Sequence, residues 1–104
     1  MASATYYLPG SILRDEDALV AKHLTKVRRM RIGDVRRVTA LPVPSIIDEV
    51  GLVLEDKTGN RIWLRETDLH FHWLTRRLNA DVLLGGDWYP RAETGEHLSA
   101  EIPR

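Results

Sequence analysis

The chain of 104 residues contains no cysteine. Disulfide bridges and thiolate-bound metal centres are therefore excluded, so packing and hydrogen bonds must hold the fold together. A chain of this length buries roughly two-thirds of the surface that it exposes when unfolded, which is enough for one core. We accordingly expect a single domain over residues 1–104. The lack of cysteine also fits a reducing compartment, and we expect a cytoplasmic protein.

Long apolar stretches are also missing from the chain. A membrane-spanning helix needs about 20 consecutive apolar residues, and no segment approaches that length. The first residues, MASATYYLPGS, lack the basic segment and apolar run of a secretory signal. We therefore expect a soluble protein with no membrane span.

The chain carries no net charge, because 15 lysines and arginines balance 15 acidic residues. General nucleic-acid binding depends on a sustained positive field, so this balance argues against it. The charges are nevertheless segregated. Residues 22–37 hold seven cations against Asp34, a local charge of +6, whereas residues 48–68 hold six acids against three cations, a local charge of −3.

Common catalytic and cofactor motifs are absent: there is no nucleophile-elbow GxSxG, phosphate loop or GxGxxG. His70 and His72 resemble a metal-binding pair, but at this spacing on a helix they point about 200° apart. The pairs Glu66–His70 and Asp68–His72 have the i, i+4 spacing of an acid–base dyad, which also commonly decorates an exposed helix. We predict no metal, no cofactor and no enzymatic activity.

The clearest structural pattern is a succession of strand, turn, strand and helix. In residues 50–55 and 60–65 apolar side chains recur at every second position and so fall on one face, which predicts the two strands of a hairpin. These side chains are Val50, Leu52, Leu54, Ile62 and Leu64. The sequence DKTG at residues 56–59 supplies the turn, since its glycine can adopt a positive φ. Thr67 is the predicted N-cap of the following helix, which ends at Asn79.

The segments before the hairpin are less regular. Residues 1–14 are expected to form an edge strand or an ordered arm. Residues 15–29 are predicted to form a helix, because acids begin it, arginines end it and an apolar stripe runs along it. That stripe consists of Val20, Leu24 and Val27. Residues 34–41 have an ambiguous period, and we favour a strand.

After the predicted helix, residues 82–84 form a short apolar piece and Gly85–Gly86 interrupts the chain. Residues 87–90 are expected to be loop-like, and residues 98–104 a loose tail. Together these patterns predict the α+β class: one domain with a small antiparallel sheet, a central hairpin and two helices packed on one face.

Aromatic residues supply candidate contacts with a partner. Trp88 and Tyr89 are types favoured as interface anchors, although Trp88 can equally plug one end of the core. Trp63 lies on the strand face opposite Ile62 and Leu64, so it is a contact candidate only if that face is exposed to solvent.

Five arginines form an alternative binding surface, which could contact nucleic acid or anionic lipid. In the interpretation that we favour, these arginines complement the dipole of the predicted helix and line an outward strand face. The alternative anion-binding set is Arg28, Arg29, Arg31, Arg36 and Arg37.

The succession GLVLEDKTGNRIWL, ETDLHFHWLTRRL and DWYPRAETGE resembles small bacterial immunity proteins of contact-dependent or polymorphic toxin systems, over residues 51–97. The resemblance implies a non-catalytic inhibitor that binds one toxin, possibly a nuclease, and covers its active site. An acidic patch could occupy a cationic cleft in place of phosphates, with an aromatic anchor. The candidate partner-binding residues are Asp48, Glu49, Glu55, Asp56, Glu66, Asp68, Trp88 and Tyr89.

Other interpretations remain open at this point. A hairpin followed by a helix also resembles part of a pleckstrin-homology-like domain, whose barrel needs about seven strands, more than the sequence pattern supplies. A free sheet edge or the Trp88–Tyr89 segment could make a homodimer, so we expect a monomer or a homodimer.

Overall fold

A computed structural model of the protein describes residues 11–23, 26–43 and 49–103, and Asp48 lies outside these ranges. Within them the chain forms seven strands and three short helices. The elements, in chain order, are β1 (Ser11–Asp15), β2 (Ala18–His23), β3 (Lys26–Arg31), β4 (Val35–Val43), β5 (Glu49–Asp56), β6 (Arg61–Arg65), α1 (Phe71–Arg77), α2 (Ala80–Leu84), α3 (Trp88–Glu93) and β7 (Leu98–Glu101).

The strands form two antiparallel sheets. The first is a three-stranded meander in the order β1-β2-β3, and the second is four-stranded in the order β6-β5-β4-β7. The predicted α+β class with antiparallel pairing is therefore confirmed. The chain is richer in strands than predicted, since two sheets replace the single small sheet and three short helices replace two longer ones.

A single apolar core joins both sheets to the helices. Alternation along the strands directs Leu52 and Leu54 of β5, and Ile62 and Leu64 of β6, to the inner face of the four-stranded sheet. All four side chains are fully or almost fully buried, and each such burial stabilises the fold by about 1.5–3 kcal/mol. The first sheet contributes Leu19 and Met30, and the helices contribute Phe71, Leu74, Ala80, Leu84, Trp88 and Ala92.

The predicted hairpin is confirmed. Its turn is held by the carboxylate of Asp56, which accepts hydrogen bonds from the Thr58 amide (2.9 Å), the Thr58 hydroxyl (2.7 Å) and the Asn60 amide (3.0 Å). Gly59 has the expected positive φ of 90°. The favoured strand over residues 34–41 is also confirmed, as part of β4.

The prediction of a helix over residues 15–29 is wrong, because the described residues of this segment belong to the end of β1, to β2 and to β3. Leu24, a member of the predicted stripe, lies outside the described residues. The acids that were expected to begin a helix lie at a tight hairpin turn, in which Asp15 pairs with Ala18 and Glu16 adopts a positive φ of 55°. Leu19 pairs with Met30 across β2 and β3, and both are buried. Tertiary packing of alternate residues thus outweighs the helical spacing of the stripe.

Polar and cation–π contacts help to attach the first sheet to the remainder of the molecule. The Arg77 guanidinium of α1 donates two hydrogen bonds to the Asp17 carboxylate, at 2.7 and 2.6 Å. Arg14 lies 4.0 Å over the ring of Trp73, in cation–π geometry. The Ile32 amide donates to the Asp17 carbonyl at 2.9 Å. One face of this sheet therefore turns inward and the other outward.

The helix predicted to start at Thr67 starts instead at Phe71. Residues 66–70 form turns, and the Thr67 hydroxyl donates to Glu49 instead of capping a helix. Asn79 does adopt the predicted left-handed conformation, with φ and ψ both 55°, and separates α1 from α2.

Two predictions for the C-terminal part of the chain are wrong. The segment expected to be loop-like around Trp88 is the helix α3. The tail expected to be loose includes the strand β7, which pairs with β4 from Arg37↔Glu101 to Ala40↔Leu98. Leu98 is buried in the core, and the burial of this apolar side chain favours the docking of β7.

Candidate functional site

The described carboxylates of the predicted acidic patch have hydrogen-bond partners within the fold, and Glu49 is the most buried of them. This residue is only 5 % exposed. Its carboxylate accepts hydrogen bonds from the Arg65 guanidinium at 3.0 Å and from the Thr67 hydroxyl at 2.7 Å. A buried charge needs such partners, and Glu49 therefore fixes the segment after β6 in place of contacting a partner.

Glu66 joins three elements of the fold. One of its carboxylate oxygens accepts from the Val50 amide at 2.7 Å, and the other accepts from the hydroxyl of Tyr89 on α3. This hydrogen bond to Glu66, followed by burial and nearby negative charge, raises the pKa of Tyr89 to about 12. Tyr89 is half-buried, and its polar atom acts within the fold.

Trp88, the predicted anchor, is a core residue. It is 5 % exposed, and its indole N–H donates to Asp81 at 2.9 Å. Trp88 was interpreted either as an interface anchor or as a residue that plugs one end of the core, and the structure supports the second interpretation. Trp63 is half-buried on the outer face of the four-stranded sheet, where it pairs with the buried Val53.

The remaining acids of the patch also have internal partners. Glu55 accepts from the Arg61 guanidinium at 3.2 Å, and Asp68 accepts from the Arg65 amide at 2.7 Å. Burial acts to raise the pKa of Asp56, but hydrogen bonds from Thr58 and Asn60 bring it below its usual value. The five described carboxylates of the patch thus stabilise turns and strand ends.

The possible acid–base dyads do not form. Residues 66–70 are turns, so Glu66 and Asp68 do not have helical i, i+4 spacing to His70 and His72. Among the described residues, no hydrogen bond joins these histidines to either carboxylate, both of which are occupied as described above. The described part of the chain also contains no group of three or more His, Cys, Asp and Glu that could hold a metal.

The arginines of the alternative anion-binding set lie in three separate places. Arg28 lies on the inward side of β3, and its guanidinium is 3.5 Å from the Arg61 carbonyl. Arg29, on the outward side, pairs with Asp15 at 2.7 Å, and Arg31 shares its face. Arg36 and Arg37 belong to β4 of the second sheet. A single basic surface made of all five residues is therefore not formed.

The outward face of the three-stranded sheet is a candidate site that the sequence did not predict. Val20 lies directly opposite Leu13 on β1, and Val27 lies on the same face of β3. Leu13 is 45 % exposed and Val27 is 62 % exposed, which places adjacent aliphatic side chains in contact with solvent. Three cations share this face, and we name the six residues the outer patch: Leu13, Val20, Val27, Lys22, Arg29 and Arg31.

Comparison of the chain with protein-family models, with curated proteins and with solved structures finds no match. Within the described residues the longest helix is α1, with seven residues, and no helix has the length and apolar character needed to cross a bilayer. The function is therefore inferred from the geometry of the chain itself.

Proposed function

We propose that this chain is a non-catalytic protein-binding domain that contacts an acidic protein surface through the outer patch. The observation that carries this proposal is a group of aliphatic side chains on the outer sheet face, where Leu13 pairs with Val20 and Val27 is diagonal to Val20. Leu13 is 45 % exposed and Val27 is 62 % exposed. Contiguous exposed apolar residues with a polar rim are typical of interaction sites, whereas single exposed apolar residues are ordinary.

The charge around the aliphatic centre selects the kind of partner. Arg29 is neutralised by Asp15, but Lys22 and Arg31 form no ion pair with any other residue in the described ranges. Two such cations favour an acidic partner, because complementary potentials speed encounter and exclude wrong partners. They contribute only about 2 kcal/mol at an anionic membrane, which is too little for stable membrane attachment.

A narrower form of the proposal is inhibition of a cognate toxin domain in the cytoplasm. It is supported by the resemblance of residues 51–97 to small immunity proteins and by the lack of cysteine. In this form the outer patch makes the contact, since the carboxylates of the hairpin region already have partners within the fold.

Two matched variants test the use of the outer patch. Val27→Asp places a charge in the patch, whereas Val82→Asp places the same charge on α2, where Val82 is 77 % exposed. Loss of one buried valine contact is worth about 1.5–3 kcal/mol, so Val27→Asp should weaken partner binding roughly 10-fold or more. The wild type and both variants are used to capture proteins from the native host, and the affinity for any stoichiometric partner is then measured.

The proposal is supported if the wild type and Val82→Asp bind the same acidic partner and Val27→Asp does not. Binding should also slow amide hydrogen exchange in β1–β3. Equal binding by all three proteins would contradict it. Recovery of nucleic acid that is lost as the salt concentration rises would contradict it as well. If the protein sediments as a dimer only when Val27 is intact, the result would indicate self-association instead.

A further inference from the structure

A β-bulge brings two arginines to one end of the four-stranded sheet. The pairing of β4 with β5 shifts between Val35↔Asp56 and Arg37↔Glu55, so that Arg36 has no partner across the ladder. An inserted residue of this kind interrupts the alternation of faces and re-aims side chains, and bulges often occur beside functional sites. Here Arg36 and Arg37 line the same cleft.

The cleft has a volume of 390 Å³, and every residue of the described ranges that lines it is charged. They are Arg36, Arg37, Lys57, Glu55 and Glu101. The volume lies within the range of roughly 300–1,000 Å³ that small-molecule sites occupy, whereas most such sites have apolar walls. A cleft walled by charges instead suits a small, strongly hydrophilic molecule.

Ion pairs across the sheet neutralise part of the charge at this cleft, and an excess of positive charge remains. Register aligns Arg61, Glu55, Arg37 and Glu101 in one row across β6, β5, β4 and β7. Within the row, Arg61 pairs with Glu55 at 3.2 Å and Arg37 pairs with Glu101 at 2.8 Å. The row is therefore neutral as a whole.

Two further cations stand beside that neutral row. Arg36, from the bulge, and Lys57, from the turn after β5, are exposed and form no ion pair with another residue in the part of the chain that the structure describes. The five described lining residues therefore carry a net charge of +1, and Arg61 adjoins them through its ion pair with Glu55. Two unpaired cations at one cleft match the charge of a phosphate dianion.

We propose that the cleft between the β4 bulge and the β5–β6 turn binds the phosphate monoester of a small polyhydroxylated molecule, such as a sugar phosphate. Arg36 and Lys57 hold the phosphate, and Arg37, fixed by Glu101, presents further N–H donors to it. The free oxygens of Glu55 and Glu101 accept hydrogen bonds from hydroxyl groups of the ligand. Among the described residues no aromatic side chain lines the cleft, so the described lining offers no surface on which a nucleobase would stack.

The experiment measures binding of three probes by calorimetry at low ionic strength: glucose 6-phosphate, inorganic phosphate and glucose. The variants Arg36→Gln and Lys57→Gln each remove one unpaired cation and leave the ion pairs of the row intact. Arg76→Gln is the matched control, because Arg76 is an exposed arginine at the end of α1 and does not line the cleft. A charge-assisted hydrogen bond contributes about 1.5–3 kcal/mol, so each cleft variant should weaken binding about 10-fold or more.

The proposal is supported if glucose 6-phosphate binds saturably and more tightly than both inorganic phosphate and glucose, if each cleft variant weakens this binding, and if Arg76→Gln leaves it unchanged. Three results overturn the proposal. One is the absence of saturable binding at millimolar probe concentrations. The second is equal affinity for glucose 6-phosphate and inorganic phosphate, which removes the role of the carboxylates. The third is equal weakening by Arg76→Gln, which indicates non-specific attraction.

Discussion

Replacing Gly51 by alanine should destabilise the protein, because the side chain of Val43 occupies the space that a β-carbon would need. Gly51 lies in the middle of β5 and is buried. A β-carbon built there meets Cγ2 of Val43 at 2.5 Å and the Leu64 carbonyl oxygen at 3.4 Å. The first distance is too short for two carbon atoms. Overpacking of this kind costs about 1–3 kcal/mol, and the lower chain entropy of alanine in the unfolded state offsets about 0.4–1 kcal/mol of that.

A second substitution, Val43→Ala, tests whether the clash with Val43 causes the loss of stability in Gly51→Ala. It removes two methyl groups from a residue that is 4 % exposed, at an expected cost of about 2 kcal/mol. It also clears the space beside Gly51, so the added methyl of Gly51→Ala now fills a gap. We therefore expect the double variant to be no less stable than Val43→Ala alone, with a coupling energy of about 1–2 kcal/mol.

Urea unfolding of the wild type, both single variants and the double variant gives the four free energies of this cycle. Gly86→Ala is the matched control, because its β-carbon meets nothing within 4 Å and its φ is not positive. It should leave the free energy of unfolding unchanged or slightly raised. Additive effects of Val43→Ala and Gly51→Ala would refute the proposed clash, as would a loss in Gly86→Ala equal to that in Gly51→Ala.

Two further predictions concern the dependence of stability on pH. Tyr89→Phe removes the hydrogen bond to Glu66 and should cost about 1–2 kcal/mol. The wild type should keep this contribution below about pH 10 and lose it as pH rises through the folded-state pKa of about 12; Tyr89→Phe should show no such loss in urea unfolding across that range. The hydrogen bond from Arg77 lowers the pKa of Asp17, so its stabilising contribution is present above the usual carboxyl pKa and disappears as pH falls through the lowered one. Asp17→Asn should therefore flatten the acid limb of stability against pH, and an unchanged acid limb would contradict the pairing.

The sequence predicts structure correctly where interactions within a few residues fix the backbone conformation. The hairpin of β5 and β6 was predicted correctly, because Asp56 and Gly59 form a turn with bonds that close within a few residues. Asn79 was predicted for the same reason, since a left-handed residue ends a helix without help from distant parts of the chain.

Long-range packing explains most of the errors. The apolar stripe of residues 15–29 fits a helix equally well, and only pairing between Leu19 and Met30 decides for strands. For β7 a signal did exist, because Leu98, Ala100 and Ile102 alternate with polar residues. Its four residues become a strand only beside β4, which is distant in sequence.

The candidate sites show the same division between features that local sequence determines and features that depend on distant parts of the chain. The residue types of the acidic patch were recognised, but the sequence could not show that Glu49 would be buried and that Glu66 would bind Tyr89. The outer patch was missed because its residues share a face only when β1, β2 and β3 are strands. The charged cleft depends on a bulge and on the arrival of Glu101 from β7, neither of which any local pattern of the chain indicates.

The position of β7 affects how the second sheet is completed during synthesis on the ribosome. Strand β4 leaves the ribosome before β5, β6 and the three helices, yet its second neighbour follows all of them. During that interval one side of β4 presents unpaired N–H and C=O groups, which can template pairing with another nascent chain. Synthesis proceeds at roughly 5–20 residues per second, so this edge is open for seconds. Arg36 and Arg37 lie at the start of this strand, and charged side chains make an open edge a poorer template for a foreign strand.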